Sequence, residues 1–318
     1  MKSAGGSPPS PVSRTGRIGF SVILAAIAAA PAAATAQEAS RFNGPYLGQA
    51  PPGGVPGLFA PEFFVDPGEY HSPIVFSPDG TQAFWSPMPG HGRYTTLMSE
   101  MVDGEWTPPR YEDFGLEGGA SELAFSPDGE TVYFLSRQVR DGERFAEGPP
   151  ERIWFARRES DGRVGRPQLM PSSVTAHPTH WQVSVAASRN LYFTTRDPLN
   201  DRGADIFMAP FDGNTYLEPQ PLGSGVNTGS AEHCPFIAPD ESYLIFTRND
   251  EKKDNRDLFI SYRTSNGSWS EATPLPPPIN SEFTEIYPVI SPDQKYLFFL
   301  SWREGAGRIF WVEADFLR

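Results

Sequence analysis

Five times the chain repeats a short apolar strand, a tight turn and a second strand rich in aromatic residues. The five segments are 71–86, 120–137, 181–196, 233–248 and 286–301. In the first two segments the turn is Ser-Pro-Asp-Gly, at 77–80 and 126–129. Proline pre-sets φ at the second position, aspartate suits the third, and glycine takes a positive φ without steric cost. The repeat therefore predicts five antiparallel hairpins.

The other three turns depart from this pattern. Two keep Pro-Asp but replace the glycine with Glu241 and Gln294, and the turn at 187–190 keeps neither feature. In that third turn, Asn190 is the residue we expect in a left-handed conformation. The turns recur at intervals of 49 to 60 residues, and the longest interval contains a segment, 138–151, that we expect to be an exposed loop.

A third strand and a fourth, edge-like strand follow each of the first four hairpins. Four-stranded units at this spacing are typical of β-propeller blades. The fifth unit ends after its third strand, 307–315, whereas the segment 57–64 resembles the other fourth strands. We predict an all-β fold, a propeller of five four-stranded blades spanning 58–318, whose last blade is closed by this N-terminal strand. A six-bladed ring is the alternative.

The N-terminal segment has the pattern of a secretory signal peptide. Lys2, Arg14 and Arg17 precede an apolar run at 20–34 and a small-x-small cleavage site that ends at Ala36. We expect cleavage after Ala36 and a periplasmic or secreted location, with a retained N-terminal anchor as the alternative. Residues 37–57 are a Pro/Gly-rich lead-in that is expected to have no core of its own. Cys234 is the lone cysteine, and we expect it to be buried in a strand.

The chain is acidic, with 39 Asp and Glu against 26 Lys and Arg and a net charge of −13. Removing residues 1–36 takes away three basic residues and no acidic ones. Such a charge favours solubility and opposes binding to nucleic acid or to an anionic membrane surface. We therefore expect a protein or carbohydrate ligand in the cell envelope, no nucleic acid, and no membrane insertion after signal cleavage.

The repeated hairpin resembles a known family. Its Phe-Ser-Pro-Asp-Gly core, followed by Asp-Ile-Phe at 205–207 and Asp-Leu-Phe at 257–259, is similar to the TolB-like, WD-like propeller repeats of bacterial exported proteins. The resemblance covers about residues 58–315 and implies a propeller that serves as a scaffold or binding module. Peptidases with such propellers append a hydrolase domain, but no Gly-x-Ser-x-Gly nucleophile motif is present in this sequence.

The innermost strands of a propeller line a central channel, so residues that precede each turn are predicted to converge near one mouth. The candidate binding residues there are His71, Glu122, His180, His233, Glu285 and Tyr287. Imidazole and carboxylate groups suit zinc, iron or manganese, which makes His71, His180 and His233 candidate metal ligands. The alternative is a polar, water-filled channel that needs no cofactor.

Three carboxylates from different blades, Glu122, Glu232 and Glu285, are candidate catalytic residues. A carboxylate pair can perform general acid–base chemistry on a glycosidic bond, and five-bladed glycosidases provide the analogy. The leading prediction is nevertheless a non-enzymatic binding or scaffold module. A hydrolase or lyase acting on polysaccharide, with or without a His-bound metal, is the alternative.

Four arginines end or follow the second strand of successive blades: Arg137, Arg196, Arg248 and Arg303. They are candidates for a cationic ring that binds an anionic sugar or a carboxylate-bearing peptide. The alternative is local pairing with acids that begin the third strands, such as Asp205 and Asp257.

Overall fold

The computed structural model describes residues 42–64, 69–88, 94–146, 148–177, 179–196, 203–250 and 255–317. The predicted signal peptide, residues 1–36, and its cleavage site lie outside the described residues. No helix in the described part of the chain combines the length and the apolar character needed to cross a membrane.

Within the described ranges, twenty-one short strands form five antiparallel sheets, and each sheet is one blade. The N-terminal strand is β1 (Gly57–Leu58). Blade 1 contains β2 (Tyr70–Phe76), β3 (Gln82–Pro87), β4 (Thr96–Val102), β5 (Glu105–Trp106) and β6 (Arg110–Glu112). Blade 2 contains β7 (Ser121–Phe125), β8 (Thr131–Ser136), β9 (Arg152–Arg157) and β10 (Gln168–Leu169). Blade 3 contains β11 (Thr179–Val185), β12 (Leu191–Arg196), β13 (Ala204–Ala209) and β14 (Gln220–Pro221).

The last two blades follow the same order. Blade 4 contains β15 (Glu232–Ile237), β16 (Tyr243–Asp250), β17 (Asn255–Tyr262) and β18 (Thr273–Pro274), and blade 5 contains β19 (Glu285–Ile290), β20 (Tyr296–Ser301) and β21 (Arg308–Glu313). Helical structure in the described residues is limited to two 3₁₀ segments, Pro45–Gly48 and Asp315–Leu317, and one turn of α-helix, α1 (Ser172–Thr175).

The ring closes as the sequence predicts. Strand β1 pairs with β21, with Gly57 opposite Trp311 and Leu58 opposite Phe310, and so supplies the fourth strand of blade 5. The innermost strands β2, β7, β11, β15 and β19 contact one another in sequence order, and β19 contacts β2. Five blades therefore complete the circle, each of four strands except that β5 and β6 both pair with β4 at the outer edge of blade 1, and the six-bladed alternative is wrong. Closure leaves no innermost strand with an open flank.

All five hairpin turns adopt the same backbone shape although only two carry glycine. The third turn spans 186–189, one residue earlier than predicted, because the N–H of Arg189 donates to the carbonyl of Ala186. The fourth residue of each turn has a positive φ: Gly80, Gly129, Arg189, Glu241 and Gln294. The left-handed residue of the third turn is thus Arg189 and not Asn190, which corrects the prediction. Asn190 instead acts through its side chain, whose Oδ1 accepts a hydrogen bond from the backbone of Phe211 at 3.0 Å.

A cluster of aromatic rings packs where the two ends of the chain meet. Phe59, which follows β1, is 1% exposed and has ring centroids of Phe298 and Trp311 at 5.0 and 5.1 Å. Tyr46, in the lead-in, contacts Phe76 of blade 1 at 5.1 Å between centroids. Residues 42–64 therefore pack onto blades 1 and 5, which couples closure of the ring to burial of apolar surface.

Phe59→Ala is expected to destabilise the protein by about 3–5 kcal/mol, because it removes a fully buried ring from the junction of the first and last blades. Urea unfolding would measure the change. Tyr111→Ala, at a side chain that is 74% exposed, is the matched control and should change the free energy of unfolding by less than about 0.5 kcal/mol. If both variants lost the same free energy of unfolding, burial of Phe59 would not be what stabilises closure of the ring.

Candidate functional site

A β-bulge recurs at the same position of every innermost strand. Pairing with the second strand shifts register after Ser72, Ser121, Thr179, His233 and Ile286. The residues within these bulges are buried, and we call them the bulge residues: Pro73, Glu122, Gln182, Cys234 and Tyr287. All except the proline have φ between 46° and 59°, in the left-handed region that is unfavourable for residues with a Cβ. In blades 2 to 5 the bulge therefore holds one residue in a strained backbone conformation.

The carboxylate of Glu122 is the centre of a hydrogen-bonded network. Its Oε1 lies 2.7 Å from Nε2 of His71 and accepts a hydrogen bond from the Tyr287 hydroxyl at 3.2 Å. Its Oε2 accepts a hydrogen bond from the backbone N–H of Gln182. Since Glu122 is only 1% exposed, these three groups, from blades 1, 5 and 3, replace the water that a carboxylate otherwise requires.

One of these contacts, and one further hydrogen bond, cross the channel. Blades 2 and 5 are not neighbours in the ring, so the bond between Tyr287 and Glu122 spans the central axis. The Gln182 side chain does the same from blade 3, because its Nε2 donates to the carbonyl of Pro288 in blade 5 at 2.9 Å. Together these bonds connect non-adjacent blades and divide the channel into two ends.

A second buried acid, Glu151, faces Glu122. It lies at the end of the inserted segment 138–151, which is otherwise mostly exposed as predicted, and precedes β9. Burial and the negative charge of Glu122 raise the pKa of Glu151 to about 8, against smaller opposing effects of Tyr94, Arg137 and His71. Glu151 is thus a protonated carboxyl beside an acidic partner at neutral pH. Sequence reasoning missed it because a loop residue carries no strand pattern.

The pKa of His71 is raised although its burial acts to lower it. Burial lowers the pKa of the imidazole, but the adjacent Glu122 and the more distant Glu151 raise it by more, and the net pKa is raised. The ring also lies 5.4 Å, between centroids, from Tyr94. His71, Tyr94, Glu122 and Glu151 therefore lie together at the end of the channel where β2 begins.

The other two candidate catalytic carboxylates are held by arginines of their own blades. Glu232 accepts from Nε of Arg248 at 2.8 Å and from the Thr228 hydroxyl at 2.5 Å. Glu285 accepts from Nη2 of Arg303 at 3.0 Å, and Ser281 and Ser301 donate to it as well. Both glutamates are fully buried. Each pair ties the start of an innermost strand to the end of its second strand.

The remaining candidate residues lie in different surroundings. Arg137 is exposed, with its guanidinium 5.1 Å from the Tyr94 ring centroid, and Arg196 is exposed at the end of β12. His233 is buried, and its Nε2 lies 3.1 Å from Oδ1 of Asn249. Burial lowers the pKa of His233 to about 4, which keeps the imidazole neutral. Cys234 is fully buried in β15, as the sequence predicts.

Beside His233 an aromatic side chain faces solvent at the start of β11. Trp181 is 39% exposed and its ring lies 5.1 Å from that of His233. We call this end of the channel the polar mouth, defined by His71, Tyr94, Glu151, Trp181 and His233. The structure brings the side chains of His71, Glu122 and Tyr287 together, and Trp181 is not among the predicted residues.

The metal site remains a prediction. The side chain of His180, one of the three proposed ligands, lies outside the described residues. Across the described ranges from 42 to 317, no group of three or more His, Cys, Asp or Glu side chains is arranged to hold a metal ion. Nε2 of His71 is 2.7 Å from Glu122, and Nε2 of His233 is close to Asn249.

Comparison with known proteins gives the fold but no family. No protein-family model matches the chain, and no curated protein matches it. A solved structure of a protein assigned as TolB from Agrobacterium tumefaciens is 19% identical with a TM-score of 0.49, covering 78% of each chain. An endo-arabinase from Bacteroides thetaiotaomicron is 11% identical with a TM-score of 0.51, covering 77% of this chain and 94% of its own. A periplasmic gluconolactonase from Pseudomonas aeruginosa is 14% identical with a TM-score of 0.42, covering 75% and 70%. At these identities the likeness shows a shared fold alone.

Stability should fall as pH rises from 4.5 to about 8, since folded Glu151 keeps its proton across that range and an unfolded glutamate does not. The raised pKa of His71 acts in the same direction above 6.5. Glu151→Gln should reduce this loss in the free energy of unfolding by an amount on the order of 2 kcal/mol. Urea unfolding across the range would measure it, with the exposed Glu304→Gln as control. A Glu151→Gln protein that keeps the wild-type pH dependence would refute the assignment.

Proposed function

We propose that this protein is a non-enzymatic binding module whose protein or carbohydrate ligand docks at the polar mouth. The observation that carries the proposal is the exposed ring of Trp181 next to His233, at the rim of a channel whose carboxylates face inward. An aromatic ring that is partly exposed beside polar groups provides a large contact area with little loss of side-chain entropy.

The state of the carboxylates supports binding over catalysis. Glu122, Glu232 and Glu285 are at most 1% exposed, and each is hydrogen-bonded to groups of this chain. A nucleophile or general base must contact the substrate, which these three cannot do without breaking buried bonds. Their role is to hold the innermost strands in place, and the ligand meets the side chains in front of them.

We also propose that the module acts outside the cytoplasm, since residues 1–36 carry the pattern of a cleaved signal. Expression of the full chain in a Gram-negative host, followed by N-terminal sequencing of the periplasmic fraction, should find Gln37 as the first residue. A product that retains Met1 in the cytoplasm or the membrane would refute export by cleavage.

Trp181→Ala should weaken ligand binding by about tenfold or more, as expected for an exposed aromatic at the centre of a contact. For a carbohydrate, the test is retardation in native gels that contain arabinan or peptidoglycan fragments. For a protein, it is photo-crosslinking in cells from a benzoylphenylalanine placed at position 181.

The matched control is Tyr111, which is 74% exposed on the edge of blade 1. Tyr111→Ala should leave retardation unchanged, and a crosslinker at position 111 should give no discrete adduct. Absence of both retardation and adducts at position 181 would refute the polar mouth as a binding site.

A second candidate function is hydrolysis of a polysaccharide, and one observation favours it. A carboxyl with a pKa of about 8, such as Glu151, can act as a general acid next to a second carboxylate, here Glu122. An endo-arabinase shares the fold. Release of reducing ends from the same polysaccharides, abolished by Glu151→Gln but not by Glu304→Gln, would establish this candidate in place of the binding module.

A further inference from the structure

The opposite end of the channel contains a cavity of about 240 Å³. Residues two positions after each bulge residue form its wall, one from every blade: Val75, Ala124, Ser184, Phe236 and Val289. The prolines of four hairpin turns form its rim: Pro78, Pro127, Pro239 and Pro292. The hairpin turns thus reverse the chain and also surround the opening of this cavity.

The cavity is lined mostly by apolar side chains, and Gln182 lies at its inner end. Four phenylalanines line it: Phe76, Phe125, Phe236 and Phe298. Of the five bulge residues, all of them described, Gln182 alone contributes to the lining. The cavity therefore lies on the turn side of the bonds that cross the channel, away from the polar mouth.

Gln182 has an acceptor that the protein does not use. Its side-chain Nε2 donates to the carbonyl of Pro288 at 2.9 Å, and because a carbonyl cannot donate, this bond fixes which end of the amide carries oxygen. Among the described residues, Oε1 has no hydrogen-bond partner, although Gln182 is only 7% exposed. A buried polar atom without a partner costs about 1–3 kcal/mol, so its retention suggests a role.

We propose that this cavity binds a small aromatic molecule with one N–H or O–H donor, of the indole or phenol class, whose donor bonds Oε1 of Gln182. The size fits, because an apolar cavity of about 150 Å³ accepts benzene, and 240 Å³ leaves room for a fused or substituted ring. The lining fits as well, because aromatic rings pack on one another edge to face. The free acceptor at the inner end of a mostly apolar lining favours a ligand that carries a donor. The site is independent of the proposed ligand at the polar mouth.

The test compares two probes of equal shape. Indole has an N–H donor and benzofuran has none, and ligand-observed NMR titration of the mature protein measures both. The wild-type protein should bind indole about 2- to 10-fold more tightly than benzofuran, as one neutral hydrogen bond provides. Gln182→Met should abolish this difference and still bind benzofuran, while Gln220→Met, on the exposed edge of blade 3, should behave as wild type.

A second variant keeps the test valid if Gln182→Met fails to fold. Ala124→Leu adds bulk to the wall, and it should weaken both probes by about tenfold or more with an unchanged thermal unfolding midpoint. Equal binding of indole and benzofuran by the wild-type protein would overturn the proposal. So would the absence of saturable binding of both probes, or saturable binding that Ala124→Leu leaves unchanged. Tighter binding of N-acetyltryptophanamide than of indole would also overturn it, in favour of a side chain from a partner protein.

Discussion

The fold depends on one short contact, the pairing of β1 with β21 that joins the two ends of the chain. Two residue pairs contribute little free energy by themselves, since a backbone hydrogen bond yields about 1 kcal/mol net. The burial of Phe59 against Phe298 and Trp311 stabilises the junction, and the lead-in adds Tyr46 to the same cluster. The hydrophobic effect thus stabilises the closed ring, and the strand pairing sets its register.

A closed ring of only five blades brings the innermost strands close together, and the recurrent bulge follows from that crowding. Each bulge places a side chain where it can reach across the axis, as Tyr287 and Gln182 do. A carboxylate in that position must replace its water completely. Glu122 does so with groups from three other blades, whereas Glu232 and Glu285 use an arginine of their own blade. Burial of charge therefore reinforces the ring both across the channel and within the blades.

The sequence predicts those features that arise from local chemistry or from the repeat. Turn composition and strand alternation predicted the hairpins, and the missing fourth strand predicted closure by segment 57–64. Features that depend on distant partners were not predictable. Glu151 follows a variable insertion, and its proximity to Glu122 exists only in the folded ring. Arg189 takes the left-handed position because the blade geometry imposes the turn shape, and this overrides the preference of Asn190 for that conformation.

The contrast between the two ends of the channel follows from the position of a residue along its strand. Residues before the bulge begin each innermost strand, where His71, Glu232 and Glu285 meet solvent-facing loops and polar partners. Residues two positions after the bulge form the wall of the cavity, and most of their side chains are apolar. Gln182 belongs to both layers: its backbone N–H binds Glu122 and its side chain lines the cavity. One residue therefore contacts the buried carboxylate on one side of the bulge and the cavity on the other.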